Sequence, residues 1–310
     1  MISLPESWAG RLLVVLVVAS LGSVAFTVST SSAAFGAFND GWDGTSSLRD
    51  TAERSGATIN VGVDSGARLE TSPSETMVLV LTTSRATDDA DIAALRSFVR
   101  RGGTLVVAED VGENGNAVLA GVGAETRFNG SIVRDMRYYG ATSGMPVVTN
   151  VEPHTRTRGV DELMLNYGTV LDVPNASRET GRDDVTVVAS TSQFAYLDRD
   201  GDAVPDENET LRSRPVVSVE SVGDGQVVAV SDPSVFINAM QTRASNGAFF
   251  DALVGDHRYV VVEYSNAGTQ PTVQMALLWL ENRPTILALL GMSVAVAIAA
   301  VAQYRDDETQ

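Results

Sequence analysis

The pattern of apolar and polar positions from Thr76 to Asp110 predicts a strand, a helix and a second strand. Met77–Leu81 and Thr104–Ala108 are continuous apolar runs, as expected of strands that are buried on both faces. Between them, apolar residues recur at helical spacing, acidic residues come first and arginines last, and Gly102-Gly103 follows. Two buried strands joined by a crossover helix lie parallel, so this stretch indicates an α/β fold.

The surrounding patterns extend this unit into a domain that we place at residues 35–265. A helix ending at Arg54 and a strand from Thr58 to Val63 precede it, and a glycine- and asparagine-rich turn into a short helix around Ala117–Ala120 follows it. The helical period then disappears over residues 131–181, which we interpret as a β-rich insert. Further strands, a hairpin and two helices are predicted at Val185–Ser190, Phe194–Leu197, Pro215–Val222, Gln226–Ser231, Val235–Thr242, Gly247–Val254 and Tyr259–Tyr264.

Two long apolar segments lie outside this domain. Their uncharged runs, Leu12–Val28 and Thr285–Ala302, approach the ~20 residues that cross a bilayer. We predict transmembrane helices at 12–34 and 284–303. For the first segment a cleaved signal peptide is the alternative, because small residues follow its apolar core. The remaining segments are a cytoplasmic N-terminus at 1–11, a juxtamembrane segment at 266–283 and a cytoplasmic tail at 304–310.

The predicted orientation places the domain between the two segments on the extracellular side of the cell membrane. Arg11 and Arg305 flank the outer ends of the apolar segments, which favours both termini in the cytoplasm. Three glycosylation sequons begin at Asn129, Asn175 and Asn208, all between the apolar segments. An extracellular domain accounts for both observations.

The composition narrows the possible functions. The formal net charge is −17, every basic residue other than the two histidines is arginine, and the chain has no cysteine. An acidic, lysine-free surface is typical of haloarchaeal proteins, in which molar salt screens the repulsion among carboxylates. The lack of a basic patch argues against nucleic-acid binding. Absent cysteine excludes disulfides and thiolate sites, and two histidines disfavour a multi-histidine metal centre.

An acidic loop at 198–209 has the ligand spacing of an EF-hand calcium loop. Carboxylates occupy positions 1, 3, 5, 9 and 12, and the carbonyl of residue 204 takes position 7. The candidate ligands are Asp198, Asp200, Asp202, Val204, Asp206 and Glu209. Position 6, where the sharp turn favours glycine, is Ala203. Calcium binding is therefore one interpretation, and a solvated acidic turn is the other.

A second candidate site lies where the predicted strands end. In open α/β sheets, ligands bind outside the carboxyl ends of the strands. Polar residues follow two such strands, and the candidates are Glu109, Asp110, Asn114, Asn116, Asp232 and Ser234. The alternative is that Asp232 and Ser234 cap a helix and that the asparagines serve a turn.

Three stretches of this chain resemble a known family. Asn39–Leu48, Asp91–Glu109 and Gly225–Asn238 are similar to segments of the archaeal and bacterial membrane proteins grouped as domain of unknown function 4350 (DUF4350). The resemblance implies a flavodoxin-like, glutamine-amidotransferase-like α/β core with no established activity. It also implies possible partners, because members are often encoded beside MoxR-type AAA ATPases and other membrane proteins.

Amidotransferase chemistry is not expected. Those enzymes carry a cysteine on the turn after a central strand, whereas here Glu109 and Asp110 follow Thr104–Ala108. The nearest serine pattern, around Ser143, has the wrong spacing for a nucleophile elbow. We therefore expect a membrane-anchored domain that acts without catalysis, by protein interaction in a membrane complex. The alternative is a cell-surface sensor or hydrolase that uses the strand-end cleft.

Overall fold

A computed structural model describes residues 34–36, 39–61, 69, 72–81, 87–174, 185–255 and 257–263. The two predicted transmembrane segments (apart from residue 34), the juxtamembrane segment, the two termini and the sequon residue Asn175 lie outside these residues. No helix within the described part of the chain combines the length and the apolar character needed to cross a membrane.

The first part of the domain alternates strands and helices. In chain order its elements are α1 (Ser46–Arg54), β1 (Thr58–Val61), β2 (Thr76–Leu81), α2 (Asp89–Arg100), β3 (Thr104–Ala108) and α3 (Asn114–Val122). The predicted strand–helix–strand unit is confirmed, since β2 and β3 pair in parallel and α2 connects them. The asparagines assigned to a turn belong instead to α3, which begins at Asn114.

The second part contains short strands followed by a hairpin and two more helices. The short strands are β4 (Arg127–Phe128), β5 (Ile132–Asp135), β6 (Val147–Val148), β7 (Asn150–Val151), β8 (Leu163–Met164) and β9 (Leu171–Asp172). The later elements are β10 (Val185–Ser190), β11 (Ala195–Asp198), β12 (Pro215–Val222), β13 (Gly225–Val230), α4 (Asn238–Gln241), α5 (Asn246–Val254) and β14 (Tyr259–Glu263). Single 3-10 turns lie at Pro73–Glu75, Thr155–Thr157 and Pro233–Phe236.

The main sheet is mixed rather than wholly parallel. Among the described residues, its eight strands run in the order β1-β14-β2-β3-β13-β12-β10-β7. Neighbours from β1 to β13 are parallel, whereas the β13–β12, β12–β10 and β10–β7 pairs are antiparallel. The predicted hairpin accounts for the change, because a tight turn at residues 223–224 can join only antiparallel strands. The prediction of a flavodoxin-like parallel sheet is corrected accordingly.

Two apolar layers cover the sheet because its parallel strands are apolar on both faces. Met77 and Leu79 alternate with Val78 and Val80 along β2, and the two pairs belong to different core clusters. One cluster includes Leu48 of α1, Phe249 of α5 and residues of the insert. The other includes side chains of α2 and α3. The sheet therefore lies between helices, as predicted for an α/β domain.

One predicted helix is interrupted. The apolar run Val235–Thr242 forms a 3-10 turn that ends at Phe236 and a short helix, α4, that begins at Asn238. Ile237 between them is extended, with ψ of 154°. The break orients Asn238 toward residues 39–47, where its side chain makes four hydrogen bonds.

Candidate functional site

Glu109 follows β3 and is 2% exposed. Its carboxylate accepts a short hydrogen bond from the backbone N–H of Gly115 in the first turn of α3. A Cβ on Gly112 would lie 2.1 Å from Glu109 Oε1, so the chain closes tightly around this carboxylate. The carboxylate that follows β3 therefore holds the start of α3.

Asp232 follows β13 and is fully buried. Its two carboxylate oxygens accept hydrogen bonds from the backbone N–H groups of Ser234 at 2.7 Å and Asn166 at 2.5 Å. Burial raises the pKa of Asp232 to about 7, and the charge of nearby Asp110 adds to this shift. The predicted capping role is confirmed, because Asp232 accepts from Ser234 N at the start of the 3-10 turn.

The insert covers the carboxyl end of β13. Thr169 N donates to Ser231 O at 2.8 Å, directly after the strand. Gly168 packs so closely that a Cβ there would come within 2.7 Å of Asp232 Cβ. At this strand, therefore, the position that a ligand would take in an open α/β sheet is occupied by residues 166–169 of the same chain.

The remaining strand-end candidates take local structural roles. The side chain of Asn116 in α3 makes two hydrogen bonds to the backbone of Phe128, at 2.8 and 2.9 Å. Asp110, half-exposed, accepts from Val111 N at 2.6 Å. Ser234 is buried beside Asp232, and Asn114 begins α3. Asp232 therefore caps a turn, as the structural alternative predicts, whereas Asn114 and Asn116 lie in α3 and not in the predicted turn.

Ser143 and His154 have separate partners. Ser143 Oγ lies 3.4 Å from Arg134 Nη1, whereas His154 Nδ1 accepts from Arg156 N at 3.1 Å. Partial burial, and next the charge of Arg156, lower the pKa of His154. His154 therefore accepts from a backbone donor, and Ser143 lies beside an arginine. The two residues do not form a nucleophile–base pair.

A pocket at the opposite edge of the sheet was missed from the sequence. It has a volume of about 500 Å³ and is lined by residues that precede β2 and β14, including Ser74 and His257, and by Arg156, Arg158 and Asp251. Arg156 donates to Leu253 O and to Thr104 Oγ1, both at 3.2 Å, so it joins α5 to β3. The sequence feature that could have indicated this pocket is the run from His154 to Arg158, which concentrates basic residues in an acidic chain.

The acidic loop connects β11 to the segment that leads into β12. Oxygens of Asp198, Asp200 and Asp202 all lie within 4.8 Å of one another. Asp198 is buried, accepts from Gly201 N at 2.8 Å and forms a 2.5 Å ion pair with Arg134 of β5. Burial opposes ionisation of Asp198, but the hydrogen bond and charge of Arg134 outweigh it and hold the pKa of this carboxyl below its usual value.

The last residue of the acidic loop is buried, whereas residues in its middle are exposed. Val204 is exposed, and Asp206 accepts from Asn208 N at 2.7 Å. Glu209 is buried, and its Oε1 accepts from Arg199 N at 2.7 Å. Ala203 has a φ of 64°, the left-handed conformation that glycine usually takes. Alanine therefore adopts at position 6 the turn for which EF-hand loops use glycine.

The insert presents an exposed aromatic surface, which we define as Met136, Arg137, Tyr138, Tyr139 and Tyr167. Each of the four uncharged members is at least 39% exposed. The guanidinium of Arg137 lies 5.5 Å from the ring centre of Tyr138 and 5.2 Å from that of Phe194. Arg134, which pairs with Asp198, lies 5.8 Å from the ring of Tyr167. The sequence did not predict this surface, because its residues come from two segments that are far apart along the chain.

A buried carboxylate builds the turn that carries this surface. Asp135 accepts from the backbone N–H groups of Arg137 and Tyr138, both at 2.8 Å, and from Ser192 Oγ at 2.6 Å. Tyr167 N donates to Gly144 O at 2.7 Å, which joins the two segments. The surface is therefore held by hydrogen bonds in one arrangement.

Two of the three predicted sequons lie in the described part of the chain. Asn208 is exposed, as a glycan acceptor must be. Asn129 Nδ2 donates to Asp172 Oδ2 at 2.9 Å, so attachment of a glycan would replace this bond.

Comparison with solved structures shows limited likeness. The N-terminal domain of mmIFT52 has a TM-score of 0.48 at 16% identity, with 68% of this chain and 90% of that chain covered. Cytoplasmic protein STM3548 from Salmonella typhimurium has a TM-score of 0.39 at 12% identity, with 69% and 85% covered. A search of curated proteins finds no match. The sequence does match the domain of unknown function DUF4350 over residues 37–254, and the chain therefore belongs to that family.

Proposed function

We propose that this domain acts by binding another protein, without catalysis, and that the aromatic surface of the insert is the contact. The observation that carries the proposal is the exposure of Met136, Tyr138, Tyr139 and Tyr167 on two segments that a backbone hydrogen bond joins. Tyrosine, methionine and arginine are enriched at protein interfaces. A surface already fixed by Asp135 loses little conformational freedom on binding.

Charge indicates the chemistry of the partner. Arg137 contacts aromatic rings, and no carboxylate among the described residues forms an ion pair with it. On a chain with a net charge of −17, this is a cationic point inside an apolar surface. The complementary partner presents a carboxylate in an apolar setting.

We place this interaction in a membrane complex on the extracellular side. The support is the pair of apolar segments at 12–34 and 284–303 and the sequons between them. The partner is then the external face of another membrane protein. The alternative, a sensor or hydrolase at the strand-end cleft, has less support, because residues 166–169 cover Asp232.

Site-directed photo-crosslinking in intact membranes tests the proposal. A photoreactive residue at position 139 should crosslink to the external segment of one membrane protein. The same residue at position 42 should not, because Trp42 is an exposed aromatic residue outside the insert. Equal crosslinking from both positions, or none from position 139, would contradict the proposal.

A charge exchange tests the partner chemistry. Arg137→Glu should abolish the crosslink, and substitution of arginine for an acidic residue at the crosslinked segment should restore it. A crosslink unchanged by Arg137→Glu would show that the arginine does not select the partner.

A further inference from the structure

We propose that the acidic loop at residues 198–209 binds one calcium ion. The carboxylates that we assign as ligands are those of Asp198, Asp200, Asp202 and Glu209. The argument for this site does not depend on the protein-binding role proposed above.

Three of these carboxylates already converge. Oxygens of Asp198, Asp200 and Asp202 lie within 4.8 Å of one another, and the last two side chains are exposed to solvent. Like charges at this separation repel one another, and a divalent cation among them reverses the sign of the interaction. Carboxylate oxygens are the ligands that calcium prefers.

Glu209 provides an independent observation. This residue is 4% exposed, its Oε1 accepts from Arg199 N within the loop, and its Oε2 is buried without a hydrogen-bond partner. A buried carboxylate oxygen that lacks a partner is destabilising, and such atoms are uncommon in folded proteins. Glu209 is not one of the three converging carboxylates, but its Oε1 reaches the backbone N–H of Arg199, between Asp198 and Asp200. A cation bound beside that backbone, with a small shift of Glu209 toward it, would satisfy the buried oxygen. Position 12 of an EF-hand loop is the glutamate that coordinates calcium with both oxygens.

Arg134 limits the affinity. Its ion pair with Asp198 neutralises one of the four ligands and engages one of that carboxylate's oxygens. Asp198 retains lone pairs for a metal, but the site has less net charge than its sequence suggests. We therefore assign an affinity in the range of extracellular calcium modules, with dissociation constants of roughly 10⁻⁴–10⁻³ M.

The first test is a thermal melt of the purified full chain in detergent and molar KCl, with and without Ca²⁺. At about 10 mM Ca²⁺, binding to the folded state should raise the folding constant roughly 10- to 100-fold. The midpoint should rise in the wild type and stay constant in Asp200→Asn/Asp202→Asn. Both side chains are exposed, and the amide oxygens of the variant can still accept the hydrogen bonds from Asp202 N and Val204 N. The matched control is Asp89→Asn/Asp91→Asn on α2, where two exposed aspartates are likewise separated by one residue. Its midpoint should rise with Ca²⁺ as in the wild type.

The second test locates the ion with Tb³⁺, which resembles Ca²⁺ in size and is sensitised by a nearby tyrosine. Tyr196 is the reporter, because the charges of Asp198, Glu209 and Asp202 all act on its hydroxyl. Tyr196→Phe should reduce the Tb³⁺ luminescence while the midpoint still rises with Ca²⁺. If Ca²⁺ does not move the wild-type midpoint, moves the wild type and the loop variant equally, or leaves luminescence intact in Tyr196→Phe, the proposal is wrong.

Discussion

At the scale of single residues, the role of Asp232 as a cap depends on its neighbours in the sequence, whereas its pKa depends on residues that are distant in the sequence. The pattern of aspartate, proline and serine predicts a cap from three adjacent residues. The burial of its carboxylate comes from Asn166 and Gly168, which the sequence places more than sixty positions away. Local patterns therefore predict the hydrogen bond, whereas only the folded insert accounts for the raised pKa.

This raised pKa predicts that the domain loses stability as the pH rises. The carboxyl of Asp232 has a pKa of about 7 in the folded protein, above the usual 3.8, so between these values the folded state binds more protons than the unfolded state. The free energy of unfolding then decreases with pH, by roughly 2–3 kcal/mol from about pH 5 to about pH 8. Thermal melts across this range should show the decrease in the wild type but not in Asp232→Asn.

The comparison between the two proteins isolates this group. The lowered pKa of His154 acts in the opposite direction but is common to both proteins. Asp161→Asn, at an exposed carboxylate, should keep the wild-type dependence. If Asp232→Asn shows the same pH dependence as the wild type, Asp232 is already ionised across the range.

At the scale of elements, the continuous apolar pattern of β2 and β3 and the amphipathic pattern of α2 suffice to predict the central unit. The prediction of one continuous helix over Val235–Thr242 was wrong. Periodicity indicates which residues are buried, but it does not indicate where the backbone turns to meet a distant loop. The side chain of Asn238 donates to the carbonyls of Asn39 and Gly41 and accepts from Ser47 N. Two of the stretches that carry the family resemblance therefore meet through this one residue.

Removal of this connection should destabilise the domain. Asn238→Ala deletes four hydrogen bonds, between 2.7 and 3.2 Å, that join the start of α4 to the start of α1 and to the loop before it. At about 0.5–1.5 kcal/mol each, the expected loss is roughly 2–6 kcal/mol. A lowered thermal midpoint at constant salt would show it, with Gln193→Ala on the surface as the control. An Asn238→Ala midpoint equal to that of the control would show that water replaces these bonds without cost.

At the scale of the whole molecule, strand order is the feature that sequence patterns did not supply. β14 inserts between β1 and β2, although it is the last strand of the domain. An apolar run predicts a buried strand, but it does not predict which strands lie beside it, because strand pairing and register depend on the packing of the complete sheet. The aromatic surface has the same origin, since the hydrogen bond from Tyr167 N to Gly144 O joins its two segments only after the insert has folded.

The last prediction concerns the orientation of the chain in the membrane, for which the apolar segments and the three sequons are the basis. Two membrane crossings place both termini on the same side, and the arginines at positions 11 and 305 favour the cytoplasm. Protease added to intact cells should therefore degrade the domain but spare a tag fused after residue 310. A domain that resists protease in intact cells and is cleaved only after lysis would reverse the orientation. A mature chain that begins near Ala37, with the C-terminal tag still protected, would show that the first segment is a signal peptide and that the second alone anchors the protein.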